Sequence, residues 1–115
     1  MTDSNSLSER SGGEHLFVKQ NGMLVRIRPA EIRWIEASDN CAFIHTLEKR
    51  YILGETLKNI LGKLEGSGLI RVHRSYAVNL NEITAVADGD LLIGKKRIPI
   101  GRTHRKELME MITML

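Results

Sequence analysis

The fold of this chain is decided by one stretch, LIRVHRSYAVNL, at residues 69–80. It holds two short runs, residues 69–72 and 76–80, that are rich in the β-branched and aromatic residues typical of strands. Between the runs, His73, Arg74 and Ser75 interrupt the apolar alternation with side chains that form hydrogen bonds. The stretch therefore predicts two neighbouring strands joined by a polar, basic turn.

Similar short runs with turn residues between them continue on both sides of this stretch. The pair Asn21-Gly22 stands between two alternating runs and favours the positive φ angles of a two-residue hairpin. Lys95-Lys96 is predicted to form the last tight turn. The other predicted strands are residues 16–20, 23–28, 32–37, 41–47, 51–53, 83–87, 91–94 and 97–100. The pattern predicts a mainly β domain of about ten short strands.

Two segments have the spacing of amphipathic helices. Apolar residues recur at i, i+3, i+4 and i+7 from Leu57 and again from Leu108, which predicts helices over residues 55–65 and 103–115. Residues 1–15 are rich in Ser, Asn, Gly and charge and hold one leucine. They are therefore predicted to be a disordered tail ahead of a single domain over residues 16–115.

Composition excludes several classes of protein. Aromatic residues make up 4 % of the chain, which argues against a surface that stacks single-stranded bases. A single cysteine excludes an internal disulfide framework and a multi-thiolate zinc site. No apolar run is long enough to span a membrane, and no charged-then-apolar leader opens the chain. A cytoplasmic location is expected.

Positive charge is distributed unevenly along the chain. The formal net charge is +3, but residues 69–106 hold eight basic side chains against three acidic ones. Such an excess suits a polyanionic partner, because phosphate contacts release counterions. On composition alone, ordinary solubilising surface charge is the favoured explanation of the excess.

Candidate catalytic and metal-binding residues are few. Ser75 or Cys41 could act as a nucleophile only with a histidine such as His45 or His73, and no hydrolase motif surrounds either one. Cys41 and His45 are four residues apart on a predicted strand, roughly 13 Å, which is too far for joint metal ligation. We therefore expect no enzyme activity, no metal, no cofactor and no small-molecule substrate.

Three polar positions remain as candidates for binding a polyanion. Gly101-Arg102-Thr103 precedes the second predicted helix and could hold one phosphate, although it lacks the spacing of a nucleotide-binding loop. Asp39-Asn40 and the polar turn around Arg74 carry amide and guanidinium groups that can pair with adenine and guanine. Ordinary turn and cap chemistry explains each position when it is taken alone.

At this point four blocks of the sequence resemble LytTR DNA-binding domains. The segment IRWIEASDN (residues 32–40) resembles their "I-x-x-I-E-A…N" strand, and YILGETLKNILGKL (51–64) resembles their strand and helix. The stretch at 69–80 follows the "F-x-R-v-H-R-S-y-l-V-N-l" signature, and IPIGRTHRK (98–106) follows the closing block. The blocks come in family order and cover residues 16–115.

The resemblance implies a mostly β fold, an elongated stack of small antiparallel sheets with two short helices. It also implies binding of double-stranded DNA by loops that enter successive major grooves, at pairs of direct repeats that would accommodate a homodimer. By motif position, base contacts fall on Asn40, Arg74 and Arg102. The neighbouring residues expected to contact phosphates are His73, Ser75, Thr103, His104, Arg105 and Lys106.

The sequence departs from the family pattern in three respects. Cys41 replaces the usual tyrosine, and Gly101 replaces the usual serine. The receiver domain of a two-component response regulator needs about 120 further residues, which do not fit ahead of this domain. The chain is thus expected to be either a stand-alone regulator, which Met1 favours, or the C-terminal part of a longer one.

Two functions follow as hypotheses. The first is a bacterial transcriptional regulator that binds specific double-stranded DNA. The second is a receiver-less interaction module that pairs with another regulator. It would use either an exposed sheet edge or the stripe formed by Met111, Ile112 and Leu115.

Overall fold

The structure, a computed structural model, describes residues 15–115. The predicted disordered tail lies outside the described residues except for His15. The described part measures 44 × 35 × 24 Å and contains ten strands, two α-helices and two 3-10 turns. Neither of its helices is long and apolar enough to cross a membrane.

A two-stranded hairpin opens the fold. Strands β1 (Leu16–Gln20) and β2 (Met23–Ile27) pair antiparallel through a two-residue turn. Asn21 and Gly22 adopt φ angles of 52° and 81° there, which confirms the hairpin predicted from this pair.

The central sheet has five antiparallel strands. They are β3 (Ile32–Ser38), β4 (Cys41–Thr46), β5 (Arg50–Leu53), β6 (Leu69–His73) and β7 (Tyr76–Asn79). Their order is β5-β4-β3-β7-β6, so a three-stranded meander and the β6–β7 hairpin join where β3 pairs with β7. The stretch at residues 69–80 forms the β6–β7 hairpin, as predicted.

A three-stranded sheet completes the β structure, in the order β10-β9-β8. Its strands are β8 (Ala85–Val86), β9 (Asp90–Ile93) and β10 (Lys96–Pro99). Lys96 pairs with Ile93, so the tight turn is Gly94-Lys95 and not the predicted Lys95-Lys96. The reason is the φ angle of 59° at Gly94, which glycine adopts at little cost. β8 is shorter than the predicted strand 83–87, and Leu80–Glu82 ahead of it forms a 3-10 turn.

Both helices are shorter than those predicted from the apolar stripes, residues 55–65 and 103–115. Helix α1 (Leu57–Gly62) starts late because the Thr56 hydroxyl accepts a hydrogen bond from the Asn59 N–H and caps it. Helix α2 (Arg102–Glu110) ends at the capping residue Met111.

The central sheet separates two hydrophobic cores. One lies between this sheet, the β1–β2 hairpin and α1, and its buried residues are Val18, Ile27, Ile32, Ile35, Ala42, Ile44, Tyr51, Leu57, Ile60, Leu64 and Ala77. The other lies between the sheet, the three-stranded sheet and α2, and its buried residues are Ile70, Val72, Val78, Leu91, Ile93, Ile98, Ile100 and Leu108. The predicted stack of small antiparallel sheets is confirmed.

Candidate nucleic-acid interface

The three residues expected to contact bases lie in three different connections. Asn40 belongs to the two-residue turn between β3 and β4, and Arg74 belongs to the turn between β6 and β7. Arg102 is the first residue of α2. All three residues are exposed.

Backbone hydrogen bonds bring these connections to one edge of the molecule. The Ala37 N–H donates to the Ser75 carbonyl at 2.8 Å, which joins the end of β3 to the β6–β7 turn. The Gly101 N–H donates to the Val72 carbonyl at 2.7 Å, which joins the start of α2 to the end of β6. We call the surface formed by residues 39–40, 73–75 and 101–106 the loop edge.

The β6–β7 turn carries two of the expected phosphate-contacting residues, and they are bonded to each other. The Ser75 N–H donates to Nδ1 of His73 at 3.0 Å, and the His73 ring lies edge-on to Tyr76 with 5.8 Å between ring centroids. The register of the β6–β7 ladder shifts between Arg71 and His73, so the strand is bulged just before the turn. The His73 ring is therefore held in place by the turn that it belongs to.

Arg71 is a component of this turn that sequence reasoning missed. It is half-buried on β6, and its Nε donates to the His73 carbonyl at 3.2 Å. Its Nη2 donates to the Arg74 carbonyl. The sequence shows an arginine three residues before Arg74, but nothing in the sequence shows which carbonyls its guanidinium would meet.

The β3–β4 turn is held more simply. Asp39 adopts a left-handed φ of 52°, and Ser38 pairs with Cys41 to close the turn. The Cys41 thiol donates to the Ser38 carbonyl at 3.4 Å, a contact that the usual tyrosine of the family could not make. Asn40 projects from this turn with an exposed side chain.

The start of α2 supplies free backbone N–H groups to the loop edge. Gly101 is its N-cap and offers no capping side chain. A Cβ at Gly101 would lie 3.3 Å from Cδ2 of His104, so a serine there would press on this ring. Thr103 and Lys106 are exposed, while His104 is half-buried.

Arg105, another of the residues expected to contact phosphates, is also bonded within the fold, through its guanidinium. Its Nη1 donates to the carbonyls of Ala87 and Asp88 at 3.1 and 2.7 Å. Its Nη2 lies 3.4 Å from the Asp88 carboxylate. These bonds hold α2 against the connection between β8 and β9, so a phosphate contact by Arg105 stays a prediction.

The charge of the loop edge is predominantly positive. Within residues 15–115 the ion pairs are Arg33–Glu82, Arg97–Asp90 and Arg105–Asp88. None of these pairs uses Arg74, Arg102 or Lys106, so these three cations are available to an anionic partner.

Two aromatic rings of the central sheet, Trp34 and Tyr76, face the side chain of Lys96 on β10. The Lys96 ammonium stands 5.9 Å from the Trp34 ring centroid and 5.7 Å from that of Tyr76. Burial raises the pKa of the Tyr76 hydroxyl, and the neighbouring Glu36 carboxylate raises it further. Tyr76 therefore stays neutral and can donate to Glu36 at the base of the β6–β7 turn.

Two observations bear on the catalytic and metal-binding roles considered for Ser75 and the histidines. Nδ1 of His73 accepts a hydrogen bond from the backbone N–H of Ser75. This nitrogen is therefore not bonded to the Ser75 hydroxyl, as it would be if it activated that hydroxyl as a nucleophile. Across residues 15–115, no group of three or more His, Cys, Asp or Glu side chains could hold a metal ion.

Comparison with known families agrees with this geometry. The profile of the LytTr DNA-binding domain matches residues 22–113, which is most of the chain. The chain belongs to the LytTR family of DNA-binding domains. A solved LytTr DNA-binding domain of a putative methyl-accepting/DNA response regulator from Bacillus cereus superposes with a TM-score of 0.76. That match has 20 % identity and covers 90 % of this chain and all of the other, so it shows that the two share the LytTR fold.

Relatives of this LytTR chain are named as regulators. The sensory transduction protein LytT of Bacillus subtilis is 27 % identical over 117 residues, covering 96 % of this chain and 47 % of LytT. The transcriptional regulatory protein YpdB of Escherichia coli K12 is 26 % identical over 89 residues, covering 71 % of this chain and 36 % of YpdB. The chain thus spans less than half the length of these relatives. What the chain shares with them is the LytTR domain, which is a DNA-binding domain.

Proposed function

We propose that residues 16–115 are a domain that binds specific double-stranded DNA, with the loop edge facing the major groove. The observation that carries this proposal is the convergence of Asn40, Arg74 and Arg102 on one positively charged edge of a LytTR domain. The three residues come from connections far apart in sequence, and two hydrogen bonds between backbones hold those connections together.

The chemistry of each residue assigns it a role. The guanidinium groups of Arg74 and Arg102 can form two hydrogen bonds with O6 and N7 of guanine, and the side-chain amide of Asn40 can pair with adenine. Contacts to phosphates would fix the orientation of the domain on the duplex. We assign these to His73, Ser75, Thr103, His104, Arg105 and Lys106.

The form of the DNA site is a further part of this proposal. We propose that the site is a pair of direct repeats, each facing the loop edge of one copy, so that two copies form a homodimer on the DNA. Such a regulator would act in the bacterial cytoplasm.

Footprinting on genomic DNA followed by gel-shift titration tests the proposal. We expect protection of a repeated site, and Arg102→Ala should cost about 1–3 kcal/mol on that site and little on random DNA. Affinity should also fall with salt by about 0.9 log units per contacted phosphate for each decade of salt. Equal losses on both DNAs would contradict base contact by Arg102, and a flat salt response would contradict phosphate contacts.

A second candidate function is pairing with another regulator through the end of the chain. Of the predicted stripe, Met111 and Leu115 are exposed beyond α2, as is Met114, whereas Ile112 packs on the second core. Methionine side chains adapt to varied partners, so this exposed end suits a protein contact. If gel shifts find no DNA site and the protein instead co-elutes with a response regulator, this function is favoured.

A further inference from the structure

Every backbone carbonyl in and beside the β6–β7 turn accepts a hydrogen bond. Four consecutive carbonyls, from Val72 to Ser75, each accept a hydrogen bond. Gly101 and Ala37 supply the outer two through their backbone N–H groups. The inner two, which flank the Arg74 side chain, both accept from the guanidinium of Arg71. The Arg71 side chain thus fixes the orientation of the two peptide groups on either side of the Arg74 Cα.

A guanidinium suits this task better than other side chains. The ladder is irregular between Arg71 and His73, just before the turn, and the Arg74 carbonyl lies within the turn, beyond the last ladder pair His73–Tyr76. The planar fork of arginine can donate to two acceptors in fixed directions at once. The ammonium of a lysine is a single point from which two such directions cannot be held.

We propose that Arg71 is a positioning residue for DNA recognition, one that acts through Arg74 and makes no contact with DNA. The proposal rests on the proposed function. Arg71 fixes the turn before DNA binds, so less conformational entropy of Arg74 is lost on binding. That loss is about 0.5–1.5 kcal/mol for one long side chain. Its loss should therefore weaken binding at the specific site by roughly 2- to 12-fold.

The test compares Arg71→Ala and Arg71→Lys with a matched control, Arg33→Ala. Arg33 is also half-buried and also bonded through Nε, but to Glu82 and away from the loop edge. We expect both Arg71 variants to lose affinity for the footprinted site, with random-DNA affinity and the salt slope unchanged. Arg33→Ala should bind the site as the wild type does.

Two outcomes would overturn the positioning role. If Arg71 contacts a phosphate directly, Arg71→Ala will reduce the salt slope by about 0.9 and Arg71→Lys will restore binding. If Arg71 serves only the stability of the fold, both variants will melt at lower temperature but bind the site normally while folded.

A measurement without DNA separates failure of this proposal from failure of the proposed function. Amide hydrogen exchange and ¹⁵N relaxation of Arg74 and Ser75 should show faster exchange and greater mobility in Arg71→Ala than in the wild type. An equally ordered turn in the variant would end the positioning role even if DNA binding is found. A loosened turn in a protein with no specific DNA site would instead contradict the proposed function alone.

Discussion

The β3–β4 turn and the β6–β7 turn lie side by side on the loop edge, but they are held in different ways. Every carbonyl from Val72 to Ser75 accepts a hydrogen bond, and the donors come from β3, β6 and the start of α2. The β3–β4 turn has the ladder of its own two strands, a left-handed Asp39 and one weak thiol contact. One turn is fixed by its neighbours, and the other mainly by its own hairpin.

The difference bears on how each turn can contribute to specificity. A side chain on a fixed turn loses little freedom when DNA binds, so more of its interaction energy appears as affinity. A side chain on a looser turn must be ordered during binding, but it can adjust to a different base or to a phosphate. We expect Arg74 to carry more of the base discrimination and Asn40 to carry less.

The largest predicted effect follows directly from this contrast. Arg74→Ala should cost about 1–3 kcal/mol on the specific site, because it removes a bidentate contact from a preorganised turn. Asn40→Ala should cost less, on the order of 1 kcal/mol, because part of its contact energy is spent on ordering the turn. Titrations on the site and on single-base variants of it measure both. A larger loss for Asn40→Ala would reverse the comparison.

The sequence predicted the strands of these turns because their signals are local. Alternating apolar residues and Asn-Gly or His-Arg-Ser interruptions marked the hairpins, and the structure confirms them. The helices were predicted too long, since an apolar stripe reports which face is buried and not where a cap stops the helix. Thr56 sets the start of α1, and α2 ends at Glu110 even though Ile112 still packs on the core.

The assembly of the loop edge could not be predicted from the residues alone. Each of its three polar segments could be marked in the sequence, but their proximity depends on pairing between distant strands. The Ala37–Ser75 bond follows from β3 lying beside β7, and the Gly101–Val72 bond from α2 packing on β6. For the same reason the contacts of Arg71 and Arg105 with backbone carbonyls are visible only in the structure.

The next largest effect comes from Arg105, which holds the start of α2 against the connection between β8 and β9. Arg105→Ala removes the bonds to Ala87 and Asp88, which should lower stability by about 1 kcal/mol for a half-exposed side chain. The melting temperature should fall by roughly 4–8 °C for a domain near this size. Because Arg105 is also proposed to contact a phosphate, the salt slope of DNA binding should fall by about 0.9. A lower melting temperature with an unchanged salt slope would show that Arg105 holds the fold and does not contact DNA.

A smaller effect tests the strain in the β3–β4 turn. Aspartate tolerates a left-handed φ better than alanine, so Asp39→Ala should destabilise the protein by about 0.5–1 kcal/mol. Asp39→Gly should be close to neutral, because glycine adopts this conformation without a Cβ penalty but loses more entropy on folding. Chemical denaturation of both variants measures the difference. If alanine and glycine are equally tolerated, the backbone at Asp39 is not a constraint on this turn.

The smallest effect comes from His45, which lies near the end of β4 away from the β3–β4 turn. Its ring stacks on Trp34 with 4.3 Å between centroids. Burial lowers its pKa below 6.5, Glu36 opposes this, and Arg50 and Lys96 add to it. As pH falls below 6.5, His45 becomes protonated in the unfolded chain but stays neutral in the folded one. The free energy of unfolding should therefore decrease until the pH falls below the folded-state pKa.

Thermal melts between pH 5 and 7.5 check this direction, with His45→Phe as the control. Phenylalanine keeps a ring on Trp34 but cannot titrate, so this part of the pH slope should disappear from the variant. Because His45 touches neither turn, the variant should keep the base discrimination of the wild type at neutral pH. An unchanged pH slope would show that other groups cause it, and a changed discrimination would show that the ring stack on the sheet influences the loop edge.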